Sequence, residues 1–163
     1  MKKLFNSNVF FQILYVVLLV VVMVFLTYKN KPEDISLSEI SEAFEDRYIY
    51  EGITKMDALK VKKSFGINVA DYNEFVYYAS TDTMNVDELL IIKMKDENQK
   101  SNVVDYMQER IDKQKKIFNG YGTDQINRLN SSRIFSSGNY ICLIVSDKTE
   151  EWLGLIKDKL KVR

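Results

Sequence analysis

The chain has no histidine, one cysteine and one proline among 163 residues. Without histidine there is no imidazole to bind zinc or a transition metal. Nor is there one to activate a serine or cysteine nucleophile. The single cysteine, Cys142, excludes an internal disulfide. It lies in the apolar string Tyr140-Ile141-Cys142-Leu143-Ile144-Val145 and reads as a small buried hydrophobe rather than a reactive thiol. The phosphate-cradling patterns G-x-x-x-x-G-K-[ST] and G-x-G-x-x-G are also missing. No catalytic motif, cofactor or metal is expected. There is no net charge either, with 23 basic residues against 23 acidic. Lysines 2, 3, 29 and 31 flank the N-terminal apolar run, so residues 32–163 keep 19 basic and 23 acidic side chains, net −4. A weakly acidic domain is no electrostatic match for nucleic acid. It offers no basic cluster in sequence that would lay it flat on anionic lipid.

What the chain does have is a long hydrophobic run over residues 9–28. From Val9 through Leu18 to Leu26 it contains one polar residue, Gln12, and no charge. Eighteen helical residues reach about 27 Å, close to the hydrocarbon thickness of a bilayer. The run is apolar all round, which a core helix rarely is. Its exit, Leu26-Thr27-Tyr28-Lys29-Asn30-Lys31, has no small-x-small cleavage pattern, so it reads as an uncleaved signal anchor rather than a cleavable signal peptide. The partner it implies is the lipid bilayer. Lysines stand on both sides of it, and the short tail with Lys2 and Lys3 is placed in the cytoplasm. The expected organisation is a cytoplasmic tail over 1–8, a transmembrane anchor over 9–28, a connector over 29–35 and an extracytoplasmic domain over 36–163.

The fold class expected for that domain is α+β, an antiparallel sheet of about four strands backed by helices. Ser36 with Glu39 forms a capping-box pattern ahead of Leu37, Ile40 and Phe44 on one helical face. A second helix is predicted from Thr54 or Lys55 to Phe65, with Gly66 as its C-cap. Strands follow over 74–79 and 89–94, the second a continuous apolar run that suits a central strand. A long helix is predicted over 96–118, capped by Asp96 with Gln99, and a short one from Thr123 to Leu129. Strands over 132–136 and 140–145 flank a Ser137-Gly138-Asn139 turn. A last helix packs Trp152, Leu153, Ile156 and Leu160.

Several short segments fall in a telling order: Asp87-Glu88-Leu89-Leu90-Ile91-Ile92-Lys93, then Glu109-Arg110-Ile111-Asp112-Lys113-Gln114-Lys115, Phe118-Asn119-Gly120-Tyr121, Gly138-Asn139-Tyr140-Ile141 and Val145-Ser146-Asp147. Over residues 55–160 the chain resembles the DUF4358 family, small membrane-anchored or lipoprotein-like domains of clostridia and related Gram-positive bacteria. The resemblance implies an extracytoplasmic α+β domain behind an N-terminal anchor. It implies no catalytic residue and no ligand. Many such relatives look lipidated at an N-terminal cysteine, whereas this chain has only the apolar span.

The candidate site rests on Glu88, Arg110, Gln114 and Tyr121. Glu88 opens a strand and Arg110 sits on the next helix; brought together they would bind a polar ligand group or make a structural ion pair. Tyr121, between glycines, reads as packing over a helix end. Tyr48, Tyr50, Tyr72, Tyr77 and Tyr78 make the first part tyrosine-rich, as contact surfaces and cross-strand packing both are. The leading functional expectation is a non-enzymatic interaction module in the cell envelope, meeting another envelope protein. The alternative is a small-ligand or peptide-binding domain using Glu88 and Arg110. An enzyme using only carboxylates, serines or lysines comes last.

Overall fold

The computed structural model describes residues 7–29, 35–48 and 52–162. They fall into two units, 1–31 and 32–163. The first is helix α1 (Ser7–Lys29). Its side chains are described from Phe10 to Phe25, and all are exposed. Among the described residues no helix is long and apolar enough to cross a membrane. The predicted span is therefore not recovered as one. Val9, Leu18 and Leu26 all fall within α1, but the side chains of Val9 and Leu26 lie outside the described residues. So do the tail over 1–6 and most of the predicted connector.

The second unit is a five-stranded antiparallel sheet between two helical layers, in strand order β1-β2-β3-β5-β4. The strands are β1 (Ile53–Lys55), β2 (Glu74–Ser80), β3 (Glu88–Lys93), β4 (Arg133–Ser137) and β5 (Tyr140–Val145). Helices α2 (Leu37–Tyr48) and α6 (Thr149–Lys159) cover one face; α3 (Ala58–Phe65), α4 (Lys100–Phe118) and α5 (Thr123–Asn130) cover the other. Strand alternation divides the core accordingly. Val76, Tyr78, Leu89, Ile91, Cys142 and Ile144 face α2 and α6, where Trp152 meets Phe44 edge-to-face at 4.8 Å. Tyr77, Leu90, Ile92, Ile141, Leu143 and Val145 face α3, α4 and α5. β3 is central and buried on both sides, as its unbroken apolar run requires. Cys142 is fully buried, and burial pushes its thiol up to about 12.

The sheet has five strands rather than four. Thr54 and Lys55, the two alternative starts expected for the second helix, instead lie in β1, which pairs with the end of β2, Ile53 opposite Ser80. The Met56 N–H continues the ladder to the Tyr77 carbonyl at 2.7 Å. The helix starts later because Asp57 caps it, accepting from the Lys60 N–H. Gly66 ends it with φ 78°, the left-handed conformation glycine adopts without cost. Leu59 is exposed, and Val61 is buried. Asp96 and Gln99 do form a capping box, on a 3-10 turn that leads into α4. Thr123 does not cap α5; Gly122 precedes it, where an added Cβ would stand 2.7 Å from the Phe118 ring.

The start of α2 is tied directly to the sheet. Ser36 Oγ accepts from the Ser38 N–H, and the Leu37 N–H donates to Glu74 of β2 at 2.8 Å. Just upstream, the Ile35 N–H donates to the Tyr140 hydroxyl at 2.9 Å, and the Ile35 carbonyl accepts from Lys93 Nζ at 3.0 Å. Burial alone would raise the Glu74 carboxyl, but Leu37, Lys93 and Ser36 together hold it below its ordinary 4.5. A lowered carboxyl contributes stability that is present above the unfolded value and lost as pH falls through the folded one. The Leu37 amide resonance is therefore expected to titrate with a midpoint below 4.5. In Glu74→Gln that titration disappears; if it persists, another group carries it.

Candidate functional site

At one end of the sheet, where β2 finishes and β3 begins, a cleft of about 500 Å³ opens between α3, α4 and the loop over 81–87. Its floor is a three-residue network. Glu88, 2 % exposed, accepts from Arg110 Nη2 at 3.1 Å and Nε at 3.2 Å, and from the Tyr77 hydroxyl at 3.0 Å. The register explains the meeting. Glu88 lies opposite Ala79, so its side chain emerges on the α4 face next to Tyr77. Met107 and Ile111 bury α4 against that same face and bring Arg110 over the strand end.

The network is electrostatically closed. Burial opposes the Arg110 charge, but the Glu88 carboxylate and its hydrogen bonds hold the guanidinium above its ordinary value. Burial, reinforced by the Glu88 charge, raises the Tyr77 phenol, which stays neutral and donates. Phe65 lies under the guanidinium at 5.7 Å and packs edge-on to Tyr77. Each group here is held by another, so none is poised as a nucleophile or a general base.

Of the four residues singled out from sequence, Glu88, Arg110 and Gln114 line this cleft. Tyr121 does not. It packs at 5.7 Å against Phe118 at the end of α4, as its position between glycines suggests, and remains 62 % exposed. In the tyrosine-rich first part, Tyr48 and Tyr72 are half-buried. Tyr77 and Tyr78 are buried with hydroxyls engaged, Tyr78 by Ser41 and Glu45. The same holds for Tyr140. Tyr50 lies outside the described residues.

Three features escaped the sequence. Asp87, also 2 % exposed, pairs with Arg128 Nη1 of α5 at 2.8 Å, a second buried carboxylate beside the first. The adjacency of Asp87 and Glu88 hinted at it, but nothing pointed to Arg128. Lys60, Lys63 and Ser64 of α3 form one wall of the cleft. The layers also differ in charge. α2 and α6 hold seven acidic and three basic residues, net −4; α3, α4 and α5 hold nine basic and four acidic, net +5. An overall balance near zero conceals that polarity.

A family model described as a domain of unknown function (DUF4358) matches residues 37–146. No curated protein matches the chain, and no solved structure does.

Proposed function

This chain belongs to the DUF4358 family, a domain of unknown function, and on that premise we propose that it is a membrane-tethered, non-enzymatic binding module of the cell envelope. Its contact site is the cleft above Glu88 and Arg110. The observation that carries the reading is a polar cavity whose floor is internally satisfied. Such a floor presents fixed donors to a partner and leaves no group activated for chemistry. Large exposed apolar side chains, Met84 and Ile117, stand next to lining residues on the loop and on α4, which suits a macromolecular partner.

The tether in this proposal is residues 9–28. Sixteen consecutive exposed side chains on α1, from Phe10 to Phe25, are apolar except Gln12. In water that surface is unfavourable, and a bilayer relieves it. The domain sits outside the cytoplasm, following the lysines of the short tail.

The test is photo-crosslinking in intact cells, with a photoreactive residue replacing Gln114 in the full chain, compared with one replacing Glu42 on the opposite layer. A discrete adduct from position 114, absent from position 42 and recovered in the membrane fraction, is expected. Identical adduct patterns from both positions would overturn the cleft as the contact site. Recovery in the soluble fraction would overturn the tether.

A further inference from the structure

We propose that the cleft binds a phosphate-type oxyanion, taking it between Lys60, Lys63 and Arg110. This rests on the reading of the cleft as a binding site and specifies what it takes.

The acidic side chains facing the cleft are engaged elsewhere, and the basic ones of α3 are not. Three acidic residues line the cleft: Asp82, Asp87 and Glu88. Asp82 Oδ1 accepts the Met84 N–H at 2.8 Å, which closes the loop on itself; the residue is exposed, and solvent screens its charge. Asp87 is paired with Arg128, and Glu88 with Arg110 and Tyr77. The donors on the other wall are not answered in this way. Among the described residues, Lys60 and Lys63 make no side-chain hydrogen bond or ion pair, and neither does the Gln114 amide. Arg110 commits Nε and Nη2 to Glu88, which leaves Nη1 outside that fork. The cleft therefore holds two ammonium groups and one amide with no internal acceptor, and beside them the Nη1 edge of a guanidinium whose charge Glu88 already balances.

Geometry and field favour an anion as well. The Glu88 fork fixes the guanidinium before any ligand arrives, so little ordering remains for binding to cost. Lys60 and Lys63 stand three residues apart on α3 and project from one helical face. The whole layer around them carries net +5, which draws anions toward the mouth. A monocarboxylate would answer only one of these cations. A phosphate monoester, with close to two charges and three acceptor oxygens, answers several at once.

The experiment is a titration of the full chain in maltoside micelles, which contain no phosphate, followed by NMR at fixed ionic strength. The readouts are the Arg110 Nε–H signal and the backbone amides of residues 60–64 and 110–114. The probes are inorganic phosphate, glycerol phosphate, acetate, and micelles doped with phosphatidic acid. Saturable shifts confined to the cleft are expected with the phosphates and not with acetate. Saturation by the soluble phosphates assigns a free ligand; saturation only by phosphatidic acid assigns a lipid headgroup. Lys60→Gln and Lys63→Gln, both exposed and outside the core, should each weaken the apparent affinity about tenfold. If no phosphate probe shifts the cleft, the inference is overturned. The binding-module reading then stands or falls separately, on the crosslink from position 114. Equal affinity for acetate and phosphate, or unchanged affinity in both lysine variants, also overturns it.

Discussion

Arg110→Ala is expected to destabilise the domain by about 3–5 kcal/mol, the cost of stranding a buried carboxylate without its partner. Glu88 is 2 % exposed and the Arg110 side chain only 21 %, so solvent does little to screen the pair. Removal of the guanidinium leaves Glu88 with the Tyr77 hydroxyl alone and takes away the cation packed over Phe65. In a domain of this size the loss lowers the unfolding temperature by on the order of 10 °C or more. Arg110→Lys restores the charge but not the fork, and should recover only part of the stability. Replacing both partners with apolar residues of similar volume should cost less than the single change, because no charge is then left unpaired. Thermal unfolding followed by circular dichroism checks all three. A loss below 1 kcal/mol for Arg110→Ala would mean that Glu88 finds solvent in the cleft.

Ending the chain after Ser146 is expected to abolish folding. The family match stops at that residue, yet the core does not. α6 contributes Trp152, Leu153, Leu155 and Ile156 to the layer that covers β2, β3 and β5 on one side. At about 1.5–3 kcal/mol for each large apolar side chain, these four together contribute roughly 6–12 kcal/mol. That is comparable with the whole stability of a typical domain. The truncated chain should show no cooperative unfolding transition. Restoring residues 147–160 alone should return it, because Leu160 is the last core residue of that layer among those described. A truncated chain that still melts cooperatively would mean that α6 is an accessory to the fold and not part of it.

Legibility varied along the chain for identifiable reasons. α4 and β5 were readable because each carries enough residues to display its period: Val103, Met107 and Ile111 on one helical stripe, and six consecutive buried positions in β5. The central place of β3 followed from its unbroken apolar run. β1 was not readable. Three residues cannot establish an alternation, and its pairing with β2 is a long-range fact that no local pattern contains. The candidate site was half legible. Glu88 and Arg110 could be named as a pair, but whether they faced a cavity or a packed interior depends on the placement of α3, whose start was misjudged. Arg128 was beyond reach, since a surface-type residue on a short helix gives no sign that a buried aspartate waits 41 positions earlier. The charge polarity of the two layers was hidden for the same reason. Net charge is a sum over the chain, while polarity depends on which side of the sheet each helix takes.

The fastening at Ile35 has a mechanical meaning. Among the described residues of the domain, Ile35 is the first that a pull from the N-terminal side reaches, and it is bonded to Tyr140 of β5 and Lys93 of β3. Load would pass into β3 and β5, both interior strands of the sheet, before it could unwind α2. Those strands are paired over six positions, Glu88 opposite Val145 through Lys93 opposite Tyr140. A domain gripped this way takes tension into strands paired over six positions, with its cleft at the opposite end of β3.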